Sequence, residues 1–396
     1  MRTIRTREHK QSTHEDLELS PSDMNLVDNL NDSNTLAIRE ARRGIEIHSY
    51  NHIGMARFAG FEVVVDPKIP LERQNLPRLI AYAFGFDEIK MQRAEAGFMP
   101  DDVHLIDILV GFFARGCRLL MAQGLLKSYV AQQDDVPFLR GRLLLRHQIH
   151  HIVKKRPVFA CEFDELEYDN LENQILLYCL ELCSRITQSH NLKKDTRMLA
   201  RQFSAVVRHS EISLEELDNI QYTRLNQHYK TLHSLARLII SSVGIGDFSG
   251  SNTVSSFFLD MNDIFERFVT RLFEEYHPYD VQSQKSRRAW STAERRLYIR
   301  TDILLNSRIV IDAKYKEDLS RSDLYQIGFY VHEYSQDKGY AILPVHPSAR
   351  QEDITSIRQK ITVSVRTIDI DRTLNLLYAN EHEKLQEMIL GIVPSR

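Results

Sequence analysis

The sequence is short of each residue class that marks a special environment. Four cysteines (Cys117, Cys161, Cys179, Cys183) in 396 residues are too few and too scattered for a disulfide scaffold, and no CxxC pair argues for zinc. Cys179 and Cys183 lie four apart in the apolar run NQILLYCLELCSRI, on one helical face, and read as buried free thiols. Fifteen glycines and eleven prolines leave little room for repeated tight turns, so helix should be plentiful. No apolar run approaches the ~18 residues of a membrane span; the best, residues 106–114, contains an aspartate and a glycine. The opening MRTIRTREHK lacks the apolar stretch of a signal peptide. Charge is balanced, 51 Lys+Arg against 54 Asp+Glu, which excludes a globally basic nucleic-acid coat and leaves only local basic patches. The expectation is a soluble, cytoplasmic protein of two or three domains.

What is present varies along the chain. Residues 1–36 carry four basic and seven acidic residues and no aromatic one, the texture of a weakly structured arm. From Gly44 come short β-like runs, GIEIHSY, HIGMARF and FEVVVDPKIP. Residues 76–240 read mostly as helix: Leu105, Ile108, Leu109, Phe112, Phe113, Leu119 and Leu120 recur at spacings of three and four within 103–130. The Gly/Ser-rich stretch SSVGIGDFSGSN (241–252) is the clearest linker. Beyond it the pattern predicts a helix over 257–276, then two β-like runs, 297–305 and 308–316, joined at Asn306 and Ser307. A helix opened by the Ser320/Asp323 capping box follows, then an apolar strand at 339–345. The fold class expected is α+β: a β-rich module and helical middle region over 37–245, then a restriction-endonuclease-like α/β domain over 250–396.

The hairpin carries the chemistry. Residues two apart on a strand point the same way, so Asp312 and Lys314 share a face. Asp302 lies ten positions earlier, where an antiparallel partner strand brings it beside Asp312. Two carboxylates and an ammonium set in otherwise apolar strands need a partner or a metal. Phosphodiester hydrolysis uses such a group. Carboxylates hold Mg²⁺, with Mn²⁺ a substitute, and the lysine orients water or offsets developing charge. The bland alternative is an Asp–Lys pair on an edge strand. Three further residues are candidates: Glu266, beside the apolar stripe of the preceding helix, as another metal ligand; and Gln326 and Tyr330, four apart on the following helix, as groups that hold phosphate or the lysine.

Two basic runs stand out. SQKSRRAWSTAERRLYIR (283–300) has six Lys/Arg and one glutamate, so Lys285, Arg287, Arg288, Arg295 and Arg296 are candidate DNA-backbone contacts beside the carboxylates. LRGRLLLRHQIHHIVKKR (139–156) has six and no acid, and is followed by six acids in 161–172. Mutual pairing or a partner surface explains that juxtaposition as well as DNA does. His147 and His151 lack a third ligand at a telling distance, and a plain polar face is the better reading.

Several of these segments together resemble the McrC family of McrBC-type restriction systems. FEVVVDPKIP resembles its strand ending in P-K-I. GLLKSYVAQQDDVPFLRGRLLLRHQI and CEFDELEYDNLENQIL, with Asp169, Asn170, Asn173 and Leu176, resemble its middle blocks. FLDMNDIFERFV, TDILL, VIDAKYK and DLYQIGFYVHEY then follow in the family's order. The resemblance covers roughly residues 44–345. It implies a PD-(D/E)xK nuclease with Asp302, Asp312 and Lys314 at the matching positions, cleaving methylated double-stranded DNA. It also implies an McrB-like AAA+ GTPase partner, in a hexameric ring, and leaves self-association through the nuclease domain open. This chain has no G-x-x-x-x-G-K-S/T phosphate loop, so the motor must be a separate polypeptide. Thr301 stands where the motif name has proline. The rivals are a RecB/Cas4-like exonuclease, for which Gln326 and Tyr330 speak, and a non-catalytic adaptor that only stimulates an AAA+ motor.

Overall fold

Residues 2–7 do not belong to the weakly structured arm expected over 1–36; they form a paired strand. In the computed structural model, β1 (Arg2–Arg7) pairs in parallel with β6 (Phe61–Asp66), Ile4 opposite Val63. β2 (Gln11–His14) pairs with β4 (Gly44–Ser49), and α1 (Met24–Asp32) buries Leu26, Val27 and Leu30 on one face. With β3 (Leu36–Ala41) and β5 (His52–Arg57), these elements enclose a core that includes Ile4, Leu17, Leu36, Ile38, Phe61 and Val63. The polar composition of residues 1–36 hid this because the apolar residues are few and their partners lie up to sixty positions away. The structure describes residues 2–42, 44–72, 74–86, 104–243, 256–291, 296–358 and 360–395; the side chains of 288–291, 296 and 297 are outside that description. Most of the expected linker at 241–252 also lies outside the described residues.

After α2 (Asn75–Ala83) the chain forms a second unit. It runs from Val103 to Ser241, and the first unit combines residues 1–102 with 242–396. The expected division into 37–245 and 250–396 is therefore corrected: the β-rich module belongs with the C-terminal part. The second unit opens with α3 (Leu105–Gln123), which stops at Gly124, φ +100. The continuation to residue 130, read as helix, is instead β7 (Ser128–Val136), whose alternating burial marks a half-exposed strand. β8 (Arg142–Leu143), α4 (Leu145–Val153) and β9 (Phe159–Glu167) complete a small sheet, order β7-β9-β8. Part of the charge juxtaposition is mutual pairing, Arg142 with Glu162 at 2.8 Å and Arg140 with Glu165 at 3.7 Å.

Helices α5 (Leu171–Ile186), α6 (His190–Ser204), α7 (Leu214–Asp218) and α8 (Lys230–Ser242) follow. The Asn170/Asn173 motif has a structural role: Asn170 caps α5, and both amides donate to the Leu126 carbonyl, at 3.0 and 2.9 Å. The Tyr229 hydroxyl donates to Asn173 Oδ1 at 2.8 Å, so the buried polar groups satisfy one another. All four cysteines are buried and free.

The chain returns to the first unit at β10 (Ser256–Asp260), which pairs with β5. Residues 257–260 were read as the start of a helix; they belong to a strand, buried from Ser256 to Leu259, in the sheet β1-β6-β5-β10. Gly54 permits the approach, since a Cβ there would stand 2.0 Å from the Phe257 carbonyl oxygen. α9 (Met261–Tyr276) then buries Met261, Ile264, Phe265, Phe268, Val269, Leu272 and Phe273, the expected stripe, each contributing about 1.5–3 kcal/mol.

The last sheet holds β11 (Val281–Ser291), β12 (Arg296–Leu305), β13 (Ile309–Ala313), β14 (Lys338–Pro344), β15 (Glu352–Thr355) and β16 (Thr362–Ile368), in the order β11-β12-β13-β14-β16-β15. β13, β14 and β16 are mutually parallel, and α10 (Arg321–Glu333) crosses from β13 to β14. α11 (Ile370–Tyr378) and α12 (His382–Ile392) close the chain. The architecture is mixed α+β. Among the described residues no helix is long and apolar enough to cross a membrane.

Candidate active site

The hairpin between β12 and β13 turns on Asn306 and Ser307, both left-handed at φ +47 and +56; the Arg308 N–H donates to the Leu305 carbonyl at 2.9 Å, and residues 306–308 together make a three-residue connection. That turn sets the register: Leu305 opposite Ile309, Leu304 opposite Val310, Ile303 opposite Ile311. One further step sets Asp302 opposite Asp312. Asp302 Oδ2 accepts the Ala313 backbone N–H at 2.8 Å, so the side chain takes a main-chain donor at the end of the ladder. β13 lies inside the sheet, and Asp312 is 1% exposed.

Lys314 follows the strand and returns its ammonium to Asp312, Nζ to Oδ2 2.9 Å. The approach is that of an ion pair, and Oδ2 takes no hydrogen bond of regular geometry. Burial, then Asp312 and Glu266, push the Asp302 carboxyl up to about 8. Burial raises Asp312 as well, against the pull of Lys314. For Lys314 burial acts downward, but Asp312 and Asp302 outweigh it and the ammonium is held above its ordinary range. Two buried carboxylates with one ammonium between them leave an excess negative charge, which only a proton or a cation relieves.

Glu266 comes from α9, and its charge bears on both aspartates. Gln284, which the sequence reading passed over, holds it: Nε2 donates to Glu266 Oε1 at 3.2 Å. Gln284 sits between the pairs Ser283–Ile303 and Lys285–Thr301, hence level with Asp302, at φ +50. No local pattern in the sequence marks that residue. Among the described residues no group of three or more carboxylate, imidazole or thiol side chains is assembled to hold a metal; the oxygens that could serve a cation here are those of the aspartate pair, with Glu266 acting on both.

Gln326 and Tyr330 share a face of α10 as expected, but they engage each other, Nε2 donating to the phenol oxygen at 2.8 Å. Asp323 closes the capping box with Ser320 and pairs with Lys316 at 2.7 Å. Lys285 and Arg287 are exposed on β11, with the Arg287 guanidinium 5.1 Å from the centre of the Tyr334 ring. The described part of this basic run is carried on two paired strands, β11 and β12. Arg295 and the side chains of Arg288 and Arg296 lie outside the described residues. In the second unit His151 pairs with Asp135, Nε2 to Oδ1 2.7 Å, which uses the imidazole for packing α4 onto β7.

Residues 47–347 match the family model described as McrBC 5-methylcytosine restriction system component. The chain belongs to that family. This McrBC component is 23% identical over 306 residues to the type IV methyl-directed restriction enzyme EcoKMcrBC of Escherichia coli K12, covering 69% of this chain and 84% of the relative. Its fold is similar to a chain of the refined half-complex from the tetradecameric assembly of Thermococcus gammatolerans McrB AAA+ hexamers with bound McrC. The TM-score is 0.58 at 18% identity, over 96% of this chain and all of that one. A chain of the cryo-EM structure of the Thermococcus gammatolerans McrBC complex matches with a TM-score of 0.48 at 20% identity, over 69% of this chain and 88% of that one.

Proposed function

We propose that this McrBC component is the Mg²⁺-dependent DNA endonuclease subunit of its restriction complex, a PD-(D/E)xK nuclease cutting methylated double-stranded DNA. The observation that carries the reading is the convergence of Asp302, within β12, with Asp312 and Lys314 at the C-terminal end of β13, and the order α9-β11-β12-β13-α10-β14 around them. Hard carboxylate oxygens, one of them without a hydrogen bond, fit Mg²⁺ or Mn²⁺. Asp302 and Asp312 would hold the ion, with Glu266 as a further carboxylate. When bound, the ion polarises the scissile phosphate and lowers the pKa of a bound water. Lys314, held by Asp312, orients the attacking water and offsets charge at the phosphorus. Lys285 and Arg287 bear the DNA backbone.

The partner is an AAA+ GTPase ring, which supplies the nucleotide hydrolysis for which this chain has no phosphate loop. Support comes from the half-complex just described and from α4. That helix is tied down by polar contacts, Gln148 Nε2 to the Val158 carbonyl at 3.1 Å and Ala160 N–H to Gln148 Oε1 at 2.8 Å. Its apolar residues Leu145, Ile149, Ile152 and Val153 are 62–75% exposed. Such a stripe covers no core of its own and marks a docking face. The deciding experiment is cleavage of a methylated duplex by the complex with Mg²⁺ and GTP. The parent should cut, and Asp312→Ala should not, while still stimulating the motor's GTP hydrolysis. Cleavage retained by Asp312→Ala would overturn the site assignment.

A further inference from the structure

Three residues that the active-site reading leaves unused meet directly behind Lys314. Tyr315, the next residue, is 1% exposed. Its ring packs on Phe265, the neighbour of Glu266, with centroids 5.8 Å apart, and the Lys68 ammonium covers it at 4.6 Å. Its hydroxyl accepts the Ile69 N–H at 3.4 Å. Glu8, just past β1, is equally buried, and its Oε2 accepts the Lys68 N–H at 2.9 Å. The other carboxyl oxygen of Glu8 has no hydrogen bond of regular geometry, and the Lys68 ammonium and the Tyr315 hydroxyl are side-chain groups that act on the carboxyl. A carboxyl so deeply buried and only half satisfied costs stability that an apolar residue would not.

We infer that Tyr315, Glu8 and the Lys68–Ile69 backbone form an anchor that positions Lys314 and Asp312 for cleavage. β13 ends at Ala313; the Lys314 N–H still donates to the Ile342 carbonyl at 2.9 Å, and the Lys316 N–H then turns back to the Lys314 carbonyl at 2.9 Å. The Lys314 side chain leaves this turn towards Asp312, and the Tyr315 side chain is gripped by the N-terminal sheet and α9. Holding Tyr315 therefore holds the direction of Lys314. The anchor also accounts for the Pro67-Lys68-Ile69 signature: two successive backbone N–H groups and one ammonium all serve Glu8 and Tyr315. Catalytic groups must be held to within about 0.5 Å, and a displacement of ~1 Å costs up to about a hundredfold in rate.

The inference rests on the nuclease reading, and the test separates the two. Single-turnover cleavage of a methylated duplex by the whole complex is measured against Mg²⁺ concentration for Tyr315→Phe, Glu8→Ala, Glu8→Gln and Asp312→Ala. Tyr315→Phe keeps the ring and its Phe265 and Lys68 contacts and loses only the hydroxyl. It should cut roughly ten- to a hundredfold more slowly, with its Mg²⁺ midpoint raised and motor stimulation unchanged. Glu8→Ala should match it, and the double variant should be no slower than either single one, because both break one anchor. Glu8→Gln still accepts the Lys68 N–H and should restore the parental rate and midpoint, a rescue that loss of general stability would not give. If Glu8→Ala fails to fold, Tyr315→Phe and Glu8→Gln carry the test. Full-rate cleavage by Tyr315→Phe beside a dead Asp312→Ala would overturn the anchor alone. Cleavage by Asp312→Ala would overturn the nuclease reading beneath it.

Discussion

Asp302 spends a carboxylate oxygen on the backbone N–H of Ala313, the residue after Asp312, and so faces Asp312 from the opposite strand. The two acids repel, and both are deprived of water. In the folded chain Asp302 titrates near 8 instead of its ordinary 3.8. The folded state therefore binds an extra proton between those values, and stability falls as pH rises through that window. Asparagine would still accept the Ala313 N–H and carries no charge. In chelator, Asp302→Asn should be more stable than the parent at pH 8 by on the order of 1–3 kcal/mol, should lose this carboxyl's share of the slope between pH 5 and 8, and should not cut. Urea unfolding at the two pH values measures this, and a variant weaker than the parent at pH 8 would contradict it.

The stripe on α4 allows a cleaner separation of binding from folding. Leu145, Ile149 and Ile152 are mostly exposed, so serine at these positions removes little buried surface. The triple variant should melt within a degree or two of the parent and bind the motor about tenfold more weakly or worse. An unchanged affinity would remove α4 from the docking face.

Lys285 and Arg287 are the basic side chains of β11 whose exposure is established. If they touch phosphates, each alanine variant lowers DNA affinity without regard to sequence. Each should also make the slope of log affinity against log salt shallower by about 0.9. A salt titration of the complex on two unrelated duplexes is the measurement. A sequence-dependent loss would assign these residues another role.

His233 sets an acid limit on the second unit. It is 1% exposed; Nε2 donates to the Glu172 carbonyl at 3.0 Å, so Nδ1 accepts the Tyr222 hydroxyl at 3.0 Å. Burial lowers its pKa to about 4. Below about 6.5 the unfolded chain takes the proton that the fold refuses, so stability drains away from pH 6.5 to 4, by about 3 kcal/mol from this group. A His233 imidazole resonance, assigned by comparison with His233→Gln, that titrates near 6.5 in the folded protein would refute the assignment.

The site was legible in the sequence wherever spacing alone carries the geometry. The ten-residue spacing across the turn at Asn306 and Ser307 suffices to bring Asp302 beside Asp312, and Ser320 with Asp323 suffices to start α10. The Glu266 position was less clear, because it depends on Gln284, whose left-handed backbone and partner belong to different elements. Gln326 and Tyr330 were rightly put on one helix face, yet which groups they bond depends on rotamers that helical period does not specify. Residues 257–260 look apolar enough for helix or strand, and the pairing with β5, two hundred residues upstream, decided for strand.

The sequence alone determined the local elements of the β12–β13 hairpin and the stripe of α9, because hydrophobic period and turn chemistry act over a few residues. It also carried the family, through blocks spread over most of the chain. Tertiary structure decided which segments share a core. β1 pairs with β6 and β10 with β5, so the two ends of the chain build one unit, and residues 103–241 form another. Only that pairing brings Glu8 and Lys68 to the back of Tyr315. Contacts between such distant segments leave no period or spacing along the chain, since they depend on buried surface matched in space.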